Sequence, residues 1–417
     1  MKKKILFIIP WLPFPLKTGG HQALFNGIYV AKDDFDVHLA YQVGNDGAYL
    51  EHEKQFMELI PNVKLHPLFS NSRISVLYRI ISRIIQTLKK FILTRHGKDK
   101  KSEMCANWVS SISPLHEIWL EHISMLCKKF HFDIIQVEMP WLVSQILTLP
   151  HDPNVKKIFI HHELGFVRRE LEQSLFVDNE YVNACRLFSD IAEIGMLNMF
   201  DAVVTLSQVD KEKLLSHGVT IPVYSSFATV KQQNNNSIYL SNGKLLSFVG
   251  SDSHIPNFIG ITWFLTTCWN KLKVIDPSYR LKIIGKWDKN HIQQYTKSYP
   301  GIEFMGFVDN LDEAIKGSIM IVPINIGSGI RMKILEACSI GVPFVSTSVG
   351  AEGLPVVNGR HCYIADTPDD FIDSLVRMQK TEVQEEFIIQ ARKMVGECYS
   401  LEALRVNRLD IYNDILV

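Results

Sequence analysis

Apolar residues in this chain come in short unbroken runs rather than in alternation with polar ones. In the first half the runs are Ile5–Ile9, Val37–Tyr41, Val63–Pro67, Ile134–Val137, Ile158–Ile160 and Val203–Leu206. After a polar, low-complexity stretch, Lys231–Ser237, the rhythm restarts. Its runs are Leu245–Val249, Leu281–Ile284, Ile302–Met305, Ile319–Pro323, Pro343–Ser346 and Cys362–Ile364. A strand with one wet face alternates, whereas a strand covered by helices on both faces reads as a continuous apolar run, as in parallel sheets. Helical segments separate the runs, so the pattern predicts an α/β protein of two doubly wound, Rossmann-like domains facing across a cleft. The polar stretch is the expected linker. It places a first domain at residues 1–230 and a second at residues 231–397. The final segment, Glu397–Val417, reads as a helix with Leu401, Leu404, Leu409, Ile411 and Leu416 on its apolar stripe.

Composition narrows the classes. A chain of 417 residues is too long for one hydrophobic core, which agrees with two domains. A balance of 44 basic and 44 acidic residues lacks the basic excess of a nucleic-acid binder. Its seven cysteines contain no C-x-x-C pair. That fits reduced thiols in a cytoplasmic protein, with neither a disulfide framework nor a zinc site. The opening MKKKILFIIPWLPFPL imitates a signal peptide, but Pro10, Pro13 and Pro15 break its apolar run. A first buried strand ending at Pro10 is the expectation, and no stretch is long and apolar enough to predict a spanning helix. Arg73–Arg95 holds six Lys/Arg and no acid, with Leu77, Ile81, Ile84, Leu88 and Phe91 at helical spacing. A basic amphipathic helix of this kind can lie on the inner face of an anionic membrane; packing on its own domain is the plainer alternative.

The chemistry concentrates in Ile321–Leu354. A strand leads into a glycine loop (Gly327, Ser328, Gly329), then a helix expected from about Ile330, a second strand and a second glycine turn (Gly350, Gly353). Such a loop leaves backbone N–H groups at the positive end of a helix, which is an anion site suited to phosphate. Arg331 and Lys333 beside it can neutralise a diphosphate, or can be solvated helix residues. Glu336, expected two turns into the helix, can accept hydrogen bonds from ribose hydroxyls. Gly250 closes the first strand of the second domain, and Lys286 follows the next. In the first domain, Gly19 and Gly20 precede a helical segment and permit close backbone approach. The strand Ile158–Ile160 runs into His161, His162 and Glu163. A histidine there can meet a sugar hydroxyl or a phosphate oxygen, and one of the two can be a plain loop residue. Metal ligation is disfavoured, since no second cluster of ligands follows at suitable spacing.

These motifs resemble the family 4 glycosyltransferases, retaining enzymes of the GT-B fold that use nucleotide-sugar donors. The run Gly327–Thr347 (GSGIRMKILEACSIGVPFVST) is similar to that family's donor-site signature, and PWLPFPLKTGG to its first loop. His162-Glu163, FDAVVTLSQVD and GSDSHIPNFIGITWF extend the likeness over nearly the whole chain. The resemblance implies that Glu336 binds the nucleotide ribose. Gly329, Ser328, Arg331 and Lys333 would surround the diphosphate, with Gly250 nearby. It further implies that His162 contacts the transferred sugar or the β-phosphate, that Gly19 and Gly20 close over the diphosphate, and that the last helix (about 398–417) packs back on the first domain. No metal or cofactor is expected; the partners would be a nucleotide-sugar donor and a lipid-linked or glycan acceptor. The family's pair of acids seven residues apart would put one at position 328, where this chain has Ser328, so the donor sugar stays open. Two other readings remain at this point. One is a non-catalytic GT-B partner of another transferase, which would show no turnover alone. The other is a nucleotide-sugar epimerase, which would need no acceptor.

Overall fold

The computed structural model describes residues 2–16, 18–43, 48–69, 108, 115–150, 152–173, 179–230 and 238–417. The amphipathic segment Arg73–Arg95 and the linker Lys231–Ser237 lie outside the described residues. The chain divides into two compact units. One comprises Met1–Leu16, Leu24–Ser226 and Arg405–Val417, and the other Lys17–Ala23 and Phe227–Leu404.

The first unit is built on a parallel sheet of β1 (Lys4–Ile9), β2 (Asp36–Gln42), β3 (Lys64–Leu68), β4 (Ile134–Val137), β5 (Lys156–His161), β6 (Ala202–Thr205) and β7 (Val223–Ser225), in the order β3-β2-β1-β4-β5-β6-β7. The second holds β8 (Leu245–Val249), β9 (Arg280–Ile284), β10 (Ile302–Gly306), β11 (Ile319–Val322), β12 (Phe344–Ser346) and β13 (Tyr363–Ile364), in the order β10-β9-β8-β11-β12-β13. Every apolar run named above forms a strand. Ile5–Ile9 are fully buried, as a strand covered on both faces must be. The strand that the pattern misses is β7, three residues after Pro222 at the sheet edge, too short to stand out as an apolar run.

In each sheet the strand order reverses once, between β1 and β4 and between β8 and β11. Where consecutive crossovers leave in opposite directions, no helix covers the carboxyl ends of the two strands, and a crevice opens there. The loops after β1, β4, β8 and β11 therefore carry the candidate chemistry.

The final segment is not one helix. Helix Thr381–Cys398 ends at Tyr399, and a new helix runs Leu401–Ile415. Its buried stripe passes through Leu404, Arg408, Ile411, Tyr412 and Ile415, while Leu401 is exposed. Tyr412 carries the stripe because it packs edge-on against Phe35 (5.3 Å) and donates to Gln136 Oε1 on β4 (2.7 Å). Arg405 adds a forked pair to Asp34, with Nη2 donating at 3.0 and 2.9 Å. These contacts hold the chain's end in the first unit although it follows the second in sequence.

Near the amino ends of β2 and β3, His38 Nδ1 lies 2.8 Å from His66 Nε2, with the rings stacked and Phe130 and Phe132 edge-on to His38. Burial pushes both imidazoles down to about 4. Asp36 opposes this at His38, and His38, His122 and Lys129 reinforce it at His66. Both folded values lie below the unfolded one of about 6.5. The neutral pair thus contributes its full stability above that pH and loses it as the pH falls toward 4. The thermal midpoint of the wild type should drop steadily between pH 6.5 and 4, and His38→Asn should show a shallower drop. Parallel curves for the two proteins would refute this assignment.

Candidate active site

In the second unit the loop after β11 turns through Gly327 (φ 121°) and Gly329 (φ 79°), a backbone region that favours glycine. Helix Met332–Ile340 then begins two residues later than the sequence pattern suggests, so Glu336 lies on its second turn. The delay has a cause in Arg331. Its Nη1 donates to the carbonyls of Ser328 (2.5 Å) and Gly329 (2.6 Å), pinning the loop in a non-helical shape. Arg331 is buried rather than solvated, and Ser328 is buried with it. The helix has no side-chain cap and no acid in its first turn, so its own first turn leaves its positive end without a carboxylate.

Lys333 Nζ donates to Asn257 Oδ1 (2.8 Å) and sits 4.6 Å over the Phe248 ring. Burial, with Arg331 nearby, pushes its ammonium down to about 7. Asn257 reaches this position because helix Ile255–Phe264 starts just after the β8 loop, whose carbonyl at Ser251 it also binds (3.2 Å). Gly250 (φ 154°) makes room: a Cβ there would lie 2.6 Å from the Asn257 side chain. Gly250, the glycine loop and Lys333 are thus assembled around one crevice at the β8/β11 reversal. Lys286, after β9, is exposed.

Burial pushes the Glu336 carboxyl up to about 7, while Gln22 and Lys333 pull it down. Gln22 Nε2 donates to Glu336 Oε1 (3.0 Å). Gln22 belongs to the segment Lys17–Ala23, which groups with the second unit. In the same segment Gly19 opens helix Gly19–Ala31 and lies against Met332, where a Cβ would come within 2.8 Å of the Met332 Cβ. Gly20 is looser: a Cβ there would come no closer than 3.8 Å, to the Thr18 hydroxyl. Gln22, unmarked in the sequence reading, is the nearest hydrogen-bonding neighbour of the key carboxylate.

In the first unit the two histidines part company. His161, the last residue of β5, faces Glu193 Oε1 (3.1 Å), which Gly165 N (3.0 Å) also approaches. Arg169 ties Glu193 Oε2 (2.5 Å) to Asp190 (2.7 Å). His161 therefore belongs to a closed structural network. His162, one residue on, turns the opposite way and places Nε2 2.8 Å from Glu138 Oε2. Glu138 follows β4, is buried, and accepts from Gln136 Nε2 (2.5 Å). Glu138 was not picked out from sequence. Its only signal was its place directly after an apolar run. Glu163 pairs with Arg168 (3.5 Å). Among the described residues no group of three His, Cys, Asp or Glu is placed to hold a metal ion, and no helix is long and apolar enough to cross a membrane.

Residues 243–381 match the family described as Glycosyl transferases group 1. That span runs from β8 to β13 and carries Gly250, the glycine loop, Lys333 and Glu336. The chain is a glycosyltransferase. The glycosyltransferase is 26% identical over 286 residues to an uncharacterized 44.6 kDa protein in the cps region of Klebsiella pneumoniae, covering 65% of this chain and 70% of that one. It superposes on S. aureus TarM, solved with fondaparinux, alpha-GlcNAc-glycerol and UDP, with a TM-score of 0.70 at 12% identity, over 99% of this chain and 100% of that one. Sucrose-phosphate synthase from Thermosynechococcus elongatus matches with a TM-score of 0.67 at 13% identity, over 99% of each chain. At such identities the likeness is one of fold, and that fold is GT-B.

The raised Glu336 carboxyl has a consequence for stability. Its folded value of about 7 exceeds the unfolded one. Its contribution is therefore complete below the unfolded carboxylate value near 4.3, and is lost as the pH rises through 7. In the glycosyltransferase Glu336→Gln should raise the thermal midpoint at pH 8 by a few degrees and leave it little changed at pH 5. An unchanged or lower midpoint at pH 8 would contradict the assigned burial.

Proposed function

We propose that this glycosyltransferase passes a sugar from a nucleotide-diphosphate donor to a lipid-linked or saccharide acceptor during assembly of a bacterial surface polysaccharide. The observation that carries the reading is the pairing of a glycine loop with Lys333 and Glu336 on the first turns of one helix. The loop amides and Lys333 take the diphosphate, and Glu336 takes the ribose hydroxyls. UDP in the TarM structure supports a uridine donor, and the cps-region relative supports a surface polysaccharide as product. Residues 1–230, with the last helix, would form the acceptor-side domain, and residues 231–397 the donor domain. Arg73–Arg95 would bring the enzyme to the cytoplasmic face of the membrane, where lipid-linked acceptors reside.

In the transfer the bond from the sugar anomeric carbon to the β-phosphate oxygen breaks, and a bond to the acceptor oxygen forms. The acceptor proton leaves with the phosphate, and front-face attack retains the anomeric configuration, as the family 4 resemblance implies. The negative charge that develops on the departing diphosphate is stabilised by the helix N-terminus, the loop amides and Lys333, which lets the reaction proceed without a metal ion. His162 contacts the transferred sugar or its phosphate.

A panel of UDP-, GDP- and ADP-sugars with purified protein tests the reading. Turnover of at least one donor is expected, faster with an acceptor present, which separates transfer from epimerisation. Glu336→Ala should weaken UDP binding at least tenfold by calorimetry, and Lys333→Ala should lower turnover more than it weakens UDP binding. No turnover of any donor, together with unchanged UDP binding by Glu336→Ala, would overturn it.

A further inference from the structure

Behind His162 stands a line of hydrogen bonds with a fixed direction. Tyr412, on the last helix, donates from its hydroxyl to Gln136 Oε1 (2.7 Å). Gln136 Nε2 donates to Glu138 Oε1 (2.5 Å), and Glu138 Oε2 faces His162 Nε2 (2.8 Å). All four residues lie in the first unit. The direction is set by chemistry. A carboxylate only accepts, so the Gln136 amide must turn its NH2 toward Glu138 and its oxygen toward Tyr412. Burial pushes the Tyr412 hydroxyl up to about 12, so it keeps its proton and its donor role at ordinary pH. At the other end, the same carboxylate requires a proton on His162 Nε2. Gln136, Glu138 and Tyr412 are each buried, so water does not compete for these bonds.

We propose that Glu138 is a positioning residue for His162. With Gln136 and Tyr412 behind it, it holds the neutral imidazole as the Nε2–H tautomer and leaves Nδ1 as a hydrogen-bond acceptor for a sugar hydroxyl. This rests on the reading of His162 as a sugar-contacting residue. It also decides between that residue's two candidate partners. A lone pair on Nδ1 accepts from a hydroxyl and repels a phosphate oxygen, which has no proton to give. The last helix thereby acquires a second task beyond covering the sheet, because its Tyr412 anchors the amide that orients the carboxylate.

The test uses Glu138→Gln in the full chain. The new carboxamide must give its oxygen to Gln136 Nε2, because that neighbour is a donor locked in place by Tyr412. Its NH2 then faces His162 Nε2, which can accept only if the ring proton moves to Nδ1. Long-range proton–nitrogen spectra of 15N-histidine-labelled protein at pH 8.5, with the signal assigned through His162→Gln, should show Nε2–H in the wild type and Nδ1–H in Glu138→Gln. On a sugar nucleotide that the wild type turns over, Glu138→Gln should lose at least tenfold in kcat, with KM changed less than threefold. Binding of UDP alone should be unaffected, since the groups proposed for it lie in the second domain, so loss of that reading would register separately in Glu336→Ala. A wild-type Nδ1–H tautomer, the same tautomer in both proteins, or an unchanged kcat beside a switched tautomer would each overturn the proposal.

Discussion

A parallel sheet that buries both faces must lay its crossover helices on either side, and the strand order has to reverse somewhere for that to happen. That constraint governs what this chain can do chemically. At the reversal between β8 and β11, two loops emerge with no helix over them, and their residues supply Gly250, Asn257, the glycine loop and Lys333. At the reversal between β1 and β4, Glu138 emerges beside the end of β5 and meets His162. Apart from Gln136 on β4 and His161 at the end of β5, the strands named here serve as buried supports that direct the polar residues to the carboxyl edge.

The sheet layout was legible because burial leaves a strong mark, a largely apolar run, and twelve of the thirteen described strands carry one, although Lys64 and His66 interrupt it in β3, Lys282 in β9 and Glu303 in β10. β7 does not, because an edge strand of three residues needs little apolar sequence to pair with β6. Helix boundaries were less legible for a different reason. The start at Met332 rather than Ile330 depends on Arg331 bonding two loop carbonyls, a contact that no propensity encodes. The broken final segment is similar: Tyr399 ends one helix, and Tyr412 and Arg408 rather than Leu401 and Leu409 line the buried face. A tyrosine with a buried acceptor behaves there as a core residue.

The site residues divide along the same line. Glu336, Lys333, Gly329 and His162 stand out by motif, since loop, helix and strand end are local in sequence. Glu138, Gln136, Gln22 and Tyr412 do not, because each gains its role from a partner 24 to 314 positions away. The histidine pair shows how far local logic reaches. Period-two alternation implies that His161 and His162 face opposite sides. Which one meets a structural network depends on Glu193 and Arg169, residues of later helices.

Two half-buried glutamates show how the fold separates structural from chemical charge. Glu193 is half-buried, and its desolvation favours the neutral form, yet its carboxyl is held below the usual range, because His161 and Arg169 supply charge-assisted hydrogen bonds on both oxygens. Glu336 is about as deeply placed and has a carboxamide and a distant-acting lysine instead, so burial wins and its carboxyl rises to about 7. The first charge is fully satisfied by the protein and therefore rigid and inert. The second is left short of partners beside a lysine that is itself pushed down to about 7. A fold gains nothing in stability from such a pair, because removing charges from water without full pairing is costly. Ligand hydroxyls would supply the missing donors to Glu336, and an anion the missing charge to Lys333. A deficit of this kind in protein partners is what the donor site proposed above would need, and the glycine loop alone does not supply it.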